Sequence, residues 1–386
     1  MEVDINQIFG VQPEFTGKLK PLDLRSASLY RFSLPLKQPL VLINGQLSRR
    51  EGVLVVLNKD EANIGLGEIS PLPGFSQDSL TVSVSKATHL LQTLMRSESD
   101  LLKFLNRGGN WEEMNAPSIA NFGVETALLS LLANANDLHL GSLLFEDASA
   151  TVPMNALINT DLADWEPESQ RLVEQGYSTL KIKVGRINHE LEAIGVQRVR
   201  AAVGPQITLR LDANRSWDME TAVEFGKSVE SANIEYIEEP LIDSEDLPIF
   251  FDACGLHFAF DETLHHIIDP GISFNAYTGL KALVLKPSLV ACIPRILELV
   301  SQARKQGLLT VISSSFESDV GINNLAQFAA GISGDTTAVG LGTESIFSKT
   351  LSTGIDPVHS GRRSIRVLGM NDLDLDDCEL IYEQYI

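Results

Sequence analysis

Eight short β-rich runs recur along the chain: VPMNALI, TLKIKVG, ITLRLDAN, IEYIEEP, LHFAFDE, ALVLKPS, LTVISSS and AVGLGT. Residues near their C-terminal ends fall at 157, 183, 212, 238, 261, 286, 313 and 340. The mean step of about 26 residues is long enough for one strand plus one helix. The segments between carry helical patterning, as in PESQRLVEQG (167–176) and CIPRILELVSQARKQG (292–307), and each of these closes on a glycine suited to a helix C-terminus. Strand, helix, strand in repetition requires parallel pairing. Eight parallel strands close into a (β/α)8-type barrel, whose chemistry sits at the C-terminal strand ends.

Residues 1–115 read as a separate α+β unit that caps the barrel of residues 116–345, and residues 346–386 leave a C-terminal segment that could pack back on the cap. In the cap, SLYRFSLPL, LSRREGVLVVLN and ANIGLGEIS read as antiparallel strands, followed by a helix from about Asp78 to Asn106. A second helix opens at PSIANFGVETALLSLLANAND (117–137), with Ile119, Phe122, Ala127, Leu128, Leu131 and Leu132 on one apolar face. Arg49 and Arg50 read as a solvated pair on a mobile loop, and the PLPGFS turn (71–76) as a lid that excludes water.

Composition narrows the function class. The chain has 386 residues, 30 basic against 51 acidic, for a net charge of −21 and no basic run to meet a phosphate backbone. Nucleic acid is set aside. The cysteines Cys254, Cys292 and Cys378 form no CxxC and no metal-ligand spacing, which suits a reducing compartment. No apolar stretch has the length of a signal peptide core or a membrane span, so a cytoplasmic protein without membrane contact is expected. Oligomeric state is not legible.

The ends of strands two to six present Lys183, Asp212, Glu238, Asp261 and Lys286, one charged group per strand. In the second run Lys181 and Lys183 share a face, because strand side chains alternate. Buried ammonium groups need negative partners. Three carboxylates with no His or Cys among them form a hard oxygen-donor set suited to Mg²⁺, or Mn²⁺, with room for a small-molecule carboxylate. A lysine close to such a cation and partly desolvated should have its pKa lowered toward about 7 to 8, where it serves as a base. Lys183 is the candidate base, and Lys286 would stabilise negative charge from the opposite side. The expected chemistry is proton abstraction next to a carboxylate. Arg210, on the face of Asp212, reads as a buried ion-pair partner.

The motifs KIK, LDANRSW, IEEP, FDET and LKPS, in this order, resemble the enolase superfamily in its muconate-lactonizing branch. The segments GEISPLPGFSQDSL (67–80), PSIANFGVETAL and SSSFESDVG (313–321) resemble the o-succinylbenzoate synthase family within it. The resemblance implies that Asp212, Glu238 and Asp261 ligate the metal. It implies that Lys183 removes the α-proton of a cyclohexadiene carboxylate and assists loss of its hydroxyl. By the same resemblance Lys286 faces the enediolate, Lys181 supports the carboxylate and the base, and Ser313, Gly340 and Asn214 contact substrate. Epimerases and racemases of the superfamily share the two lysines. Dipeptide epimerases carry an Asp-x-Asp pair on the eighth strand, where this chain has Gly340-Leu341-Gly342.

Overall fold

The structure is a computed structural model that describes residues 24–42, 45–60, 62–95, 118–145, 147–266, 273–290 and 292–385. Residues 1–23, the stretch 96–106 of the expected first helix, and the expected 115/116 boundary lie outside them.

Strands β1 (Ser26–Leu42), β2 (Gly45–Asn58) and β3 (Ile64–Ile69) pair antiparallel in sequence order. The last strand of the chain, β13 (Glu379–Tyr385), adds to the free edge of β1, with Ser26 opposite Tyr385. Helix α1 (Leu80–Leu94) starts at Ser79, whose hydroxyl accepts from the Val82 amide. Helix α2 (Ile119–Asn134) lies against β3. Two glycines allow this: a Cβ on Gly67 would sit 1.9 Å from the Gly123 carbonyl oxygen, and one on Gly65 would sit 2.0 Å from that of Ala127. The expected single apolar face of α2 is corrected here. Nearly every residue from Ile119 to Ala133 is buried, because α2 is the layer between the cap sheet and the barrel and has neighbours all round.

Strands β5 (Asn155–Ile158), β6 (Thr179–Lys183), β7 (Thr208–Asp212), β8 (Ile234–Glu238), β9 (Phe258–Phe260), β10 (Leu280–Leu285) and β11 (Leu309–Ile312) form one parallel sheet in that order. The eighth run contributes only bridges: Val339 pairs with Met154 and Gly340 with Ser313, both parallel. The Asn155 amide donates to Val339 O and the Gly340 amide to Ile312 O, each at 2.9 Å, so the two edges of the sheet meet there. Pro153 splits the first run. Its start, together with Thr151, forms β4 (Thr151–Pro153), which pairs antiparallel with β12 (Arg362–Ser364).

Period two sorts the strand side chains. Leu180, Ile182, Leu209, Leu211, Ile237, Phe260, Leu283 and Ile312 are fully buried toward the helices. Tyr236, Ala259, Ala282, Val284 and Val311 fill the barrel interior. Arg210 lies in that interior, 2% exposed, donating to Glu235 at 2.6 Å and Ala338 O at 2.7 Å, with its guanidinium 5.1 Å from the Tyr236 ring centre. It is the buried ion-pair partner expected.

Arg50 corrects the reading of a solvated pair. It is 2% exposed on β2, and its guanidinium is spent on main-chain carbonyls. Arg49 remains at the surface, bonded to Ser33.

Candidate active site

The register sets Lys183 beside Asp212 and Asp212 beside Glu238, so three neighbouring strands end their inward faces level. Lys183 Nζ donates to Asp212 Oδ2 at 2.7 Å and to Asn214 Oδ1. Lys181 Nζ lies 2.8 Å from the same Asp212 oxygen and 2.5 Å from Glu238 Oε2. Two strands on, Lys286 Nζ donates to Asp261 Oδ2 at 2.7 Å. Asp212, Glu238 and Asp261 are all at most 3% exposed. The predicted charged residues thus share one mouth, as an arc from Lys183 to Lys286. Ser313 and Gly340 sit beside each other further round: Ser313 Oγ donates to Gly340 O at 3.3 Å, and a Cβ on Gly340 would lie 2.8 Å from that hydroxyl.

The fields act in opposite senses along the arc. Burial would raise the Asp212 carboxyl, but the ammonium groups of Lys181 and Lys183 outweigh it and hold the group below the usual carboxylate range. Burial pushes Glu238 up to about 7, and the charges of Asp212 and Asp261 push the same way against Lys181. Burial disfavours the Lys181 ammonium, yet Asp212, Glu238 and Asp261 together raise it well above the lysine range. Lys286 is likewise raised by Asp261 and Glu262 in spite of its burial.

Several residues of the site were not singled out by their position at a strand end. Glu239, 1% exposed, accepts from the Asp261 and Thr263 amides, both at 2.8 Å, and from Thr263 Oγ1 and Arg215 Nε. It fixes where Asp261 stands. Glu262 accepts from Asn214 Nδ2 at 3.1 Å, and burial followed by the Asp261 charge raises its carboxyl. Asn214, Arg215 and Glu239 all have positive φ, at 44°, 59° and 41°. Non-glycine residues are held there only when their surroundings insist. The second glutamate of IEEP and the ET of FDET are the signals that point to this layer.

Among the described residues, no three His, Cys, Asp or Glu side chains stand together as a ready metal-holding group. The facing carboxylate oxygens are taken by lysines. The residues nevertheless fit a hard cation, since the donors are all oxygens and Asp261 Oδ1 is buried with no hydrogen-bond partner among the described residues. None of the described helices is long and apolar enough to cross a membrane.

The model of the enolase C-terminal domain-like family matches residues 165–363, and that of the MenC N-terminal domain matches residues 24–131. The o-succinylbenzoate synthase of Escherichia coli O157:H7 is 33% identical over 322 residues, covering 81% of this chain and 89% of that protein. The protein PHYLLO, chloroplastic, of Arabidopsis thaliana is 34% identical over 73% of this chain, which spans only 18% of that protein. In fold, the L-Ala-D/L-Glu epimerase of Bacillus subtilis superposes with a TM-score of 0.75 at 22% identity, covering 94% of this chain and 99% of that one. A dipeptide epimerase of Enterococcus faecalis V583, complexed with Mg and a dipeptide, also reaches 0.75 at 19% identity, covering 91% and 99%. The barrel with its charged strand ends, capped by an antiparallel sheet, therefore has relatives over nearly its whole length: the chain is an enzyme of the enolase superfamily, in its muconate-lactonizing branch, and is similar to the o-succinylbenzoate synthases.

Proposed function

We propose that this enzyme is an o-succinylbenzoate synthase, a lyase that dehydrates 2-succinyl-6-hydroxy-2,4-cyclohexadiene-1-carboxylate to 2-succinylbenzoate in menaquinone biosynthesis. The observation that carries the reading is the arc itself, with Lys183 at one end on Asp212 and Lys286 at the other on Asp261. Kinship to a synthase along 89% of its length supports it. Charge does as well: with Lys183 as the neutral amine, Lys181 and Lys286 leave one negative charge on the three acids, so a dication turns the site positive and favours an anionic substrate.

Asp212, Glu238 and Asp261 would hold the divalent cation, Mg²⁺ or Mn²⁺. When bound, it supplies electrostatic stabilisation for negative charge developing on the substrate carboxylate. Lys183, as the neutral amine, takes the proton from the ring carbon bearing that carboxylate, and the C–H electron pair moves into the enediolate. Lys286, as the ammonium, stabilises that charge from the other side. The electron pair then forms the ring double bond as the C–O bond breaks. Lys183 returns its proton to the departing hydroxide, so water leaves and the lysine is regenerated. Lys181 binds the carboxylate and holds Asp212 and Glu238 in place. Asn214 orients Lys183, and Ser313 and Gly340 line the far wall of the substrate site. Residues 1–115 would act as the cap, with residues 116–345 carrying the chemistry and residues 346–386 packing back on the cap.

A lysine on each flank also permits racemisation of an N-acylamino acid, so that remains the second reading. A dipeptide epimerase is disfavoured because Gly340 and Gly342 have no side chains to meet an ammonium. The test supplies the cyclohexadiene carboxylate with Mg²⁺ and follows the aromatic product by absorbance. Rapid aromatisation, abolished by a chelator, is expected. Racemisation of N-succinylamino acids without aromatisation would instead install the second reading.

A further inference from the structure

Three buried charges lie outside the mechanism and tie the N-terminal sheet to the site wall. Arg50 on β2 reaches two segments at once. Nη1 donates to Pro71 O at 2.7 Å and Nη2 to Ser70 O, at the base of the 71–76 turn. Nε donates to Phe316 O at 3.2 Å, and Nη2 also reaches Ser315 O at 3.4 Å, at the end of the seventh barrel strand. Phe316 has φ 62°, a left-handed conformation that a bulky residue keeps only under external constraint, and its own carbonyl is one of Arg50's acceptors. Glu68 on β3 accepts from the Ser318 amide at 3.0 Å and from the Ser318 hydroxyl, capping the helix Asp319–Ile332, and from Ser70 Oγ at 2.6 Å. Glu317, between these two grips, accepts from the Ser315 amide at 2.6 Å and from Ser288 Oγ at 2.5 Å. Ser288 stands two residues after Lys286.

We propose that Arg50, Glu68 and Glu317 are positioning residues through which the seating of the N-terminal unit sets the Ser313–Phe316 wall and, by way of Ser288, the turn that aims Lys286. A guanidinium buried this deeply is not left half-engaged, because each lost acceptor strands a charged donor away from water. The turn at 70–71 and the wall at 315–316 are therefore released together or held together. A lysine cannot substitute, since one ammonium does not span carbonyls on both sides of a planar fork. The inference rests on the proposed function only for what is being positioned; the linkage itself is independent of substrate.

The test uses full-length Arg50→Met, Arg50→Lys, Glu317→Gln and Ser288→Ala, with hydrogen-exchange mass spectrometry of segments 68–76 and 313–318 and steady-state kinetics with Mg²⁺. In Arg50→Met both segments should exchange faster together, and KM should rise about tenfold, with kcat falling less, because a displaced wall misplaces the substrate. Arg50→Lys should not restore KM. Ser288→Ala should lower kcat several-fold, within the range of about 10²-fold that small misplacements produce, and leave exchange at 68–76 unchanged. Faster exchange in one segment alone, rescue by Arg50→Lys, or unchanged kinetics with both segments loosened would each overturn the proposal. If Arg50→Met does not fold, Glu317→Gln and Ser288→Ala carry the kinetic arm and Arg50→Lys the exchange arm. A wild type that fails to aromatise the cyclohexadiene sinks the proposed function alone; exchange, and kinetics on an N-succinylamino acid, then decide this linkage.

Discussion

Lys183 bonds both Asp212 and Asn214, the contact pattern of a group aimed rather than merely neutralised. Replacing it by alanine is expected to cut turnover by about 10² to 10⁴-fold, the usual worth of a positioned base, while circular dichroism stays native. Activity within tenfold of wild type would remove Lys183 from its role. Glu239 allows a second prediction. It accepts from the Asp261 amide rather than facing the lysines, so Glu239→Ala should weaken Mg²⁺ binding by roughly 10 to 100-fold in calorimetry through displacement of Asp261. The strand-end charges were legible because strand alternation and the barrel period leave a charge at a strand end one inward place to go. Glu239, Glu262 and Arg215 were not, since their partners are set by left-handed loop backbone that no periodicity announces. Arg50 was misread for a similar reason. Two adjacent arginines before a glutamate look solvated in a sequence, and only the fold brings four carbonyl oxygens from segments 20 and 265 or more residues away.

At the scale of elements, α2 shows how burial overrides local pattern. Its Glu125, in the middle of the helix, accepts from the Ile293 amide at 2.8 Å and so caps the helix Ile293–Lys305. Burial pushes this carboxyl up to about 8, with the hydrogen bond opposing. An acid whose folded pKa exceeds its unfolded value of 4.5 is protonated in the fold and ionised in the unfolded chain between the two values. The protein should therefore lose stability as pH rises from about 4.5 to 8. Glu125→Gln keeps an acceptor for Ile293 and cannot ionise, so its thermal midpoint should exceed wild type at pH 8 and match it near pH 4.5. The gain is bounded by roughly 4 kcal/mol. Equal midpoints at pH 8 would contradict the buried neutral acid. The repeating strands and helices of the barrel were readable because each repeat states its own period. The eighth strand was overread: Gly340 and Gly342 give little to a pleated surface, and pairing there shrinks to two bridges.

For the whole molecule, the layer formed by α2 makes the cap and the barrel hard to separate. Its inner residues pack with both, and β13 returns from the end of the chain to finish the first sheet. Calorimetric unfolding is expected to show one transition, and residues 24–134 expressed alone should lack native-like chemical-shift dispersion. Two resolved transitions would contradict this. The general architecture was legible from spacing, whereas the ties across the layers were not, because they join residues whose sequence separation carries no signal. One small detail bears on how such a chain could change over generations. The first carbon of any side chain at 340 would lie 2.8 Å from the Ser313 hydroxyl. An acid arriving at 340 would only have to turn that hydroxyl aside, a small move for a serine rotamer, so space alone leaves the way toward amine-bearing substrates open to a single substitution.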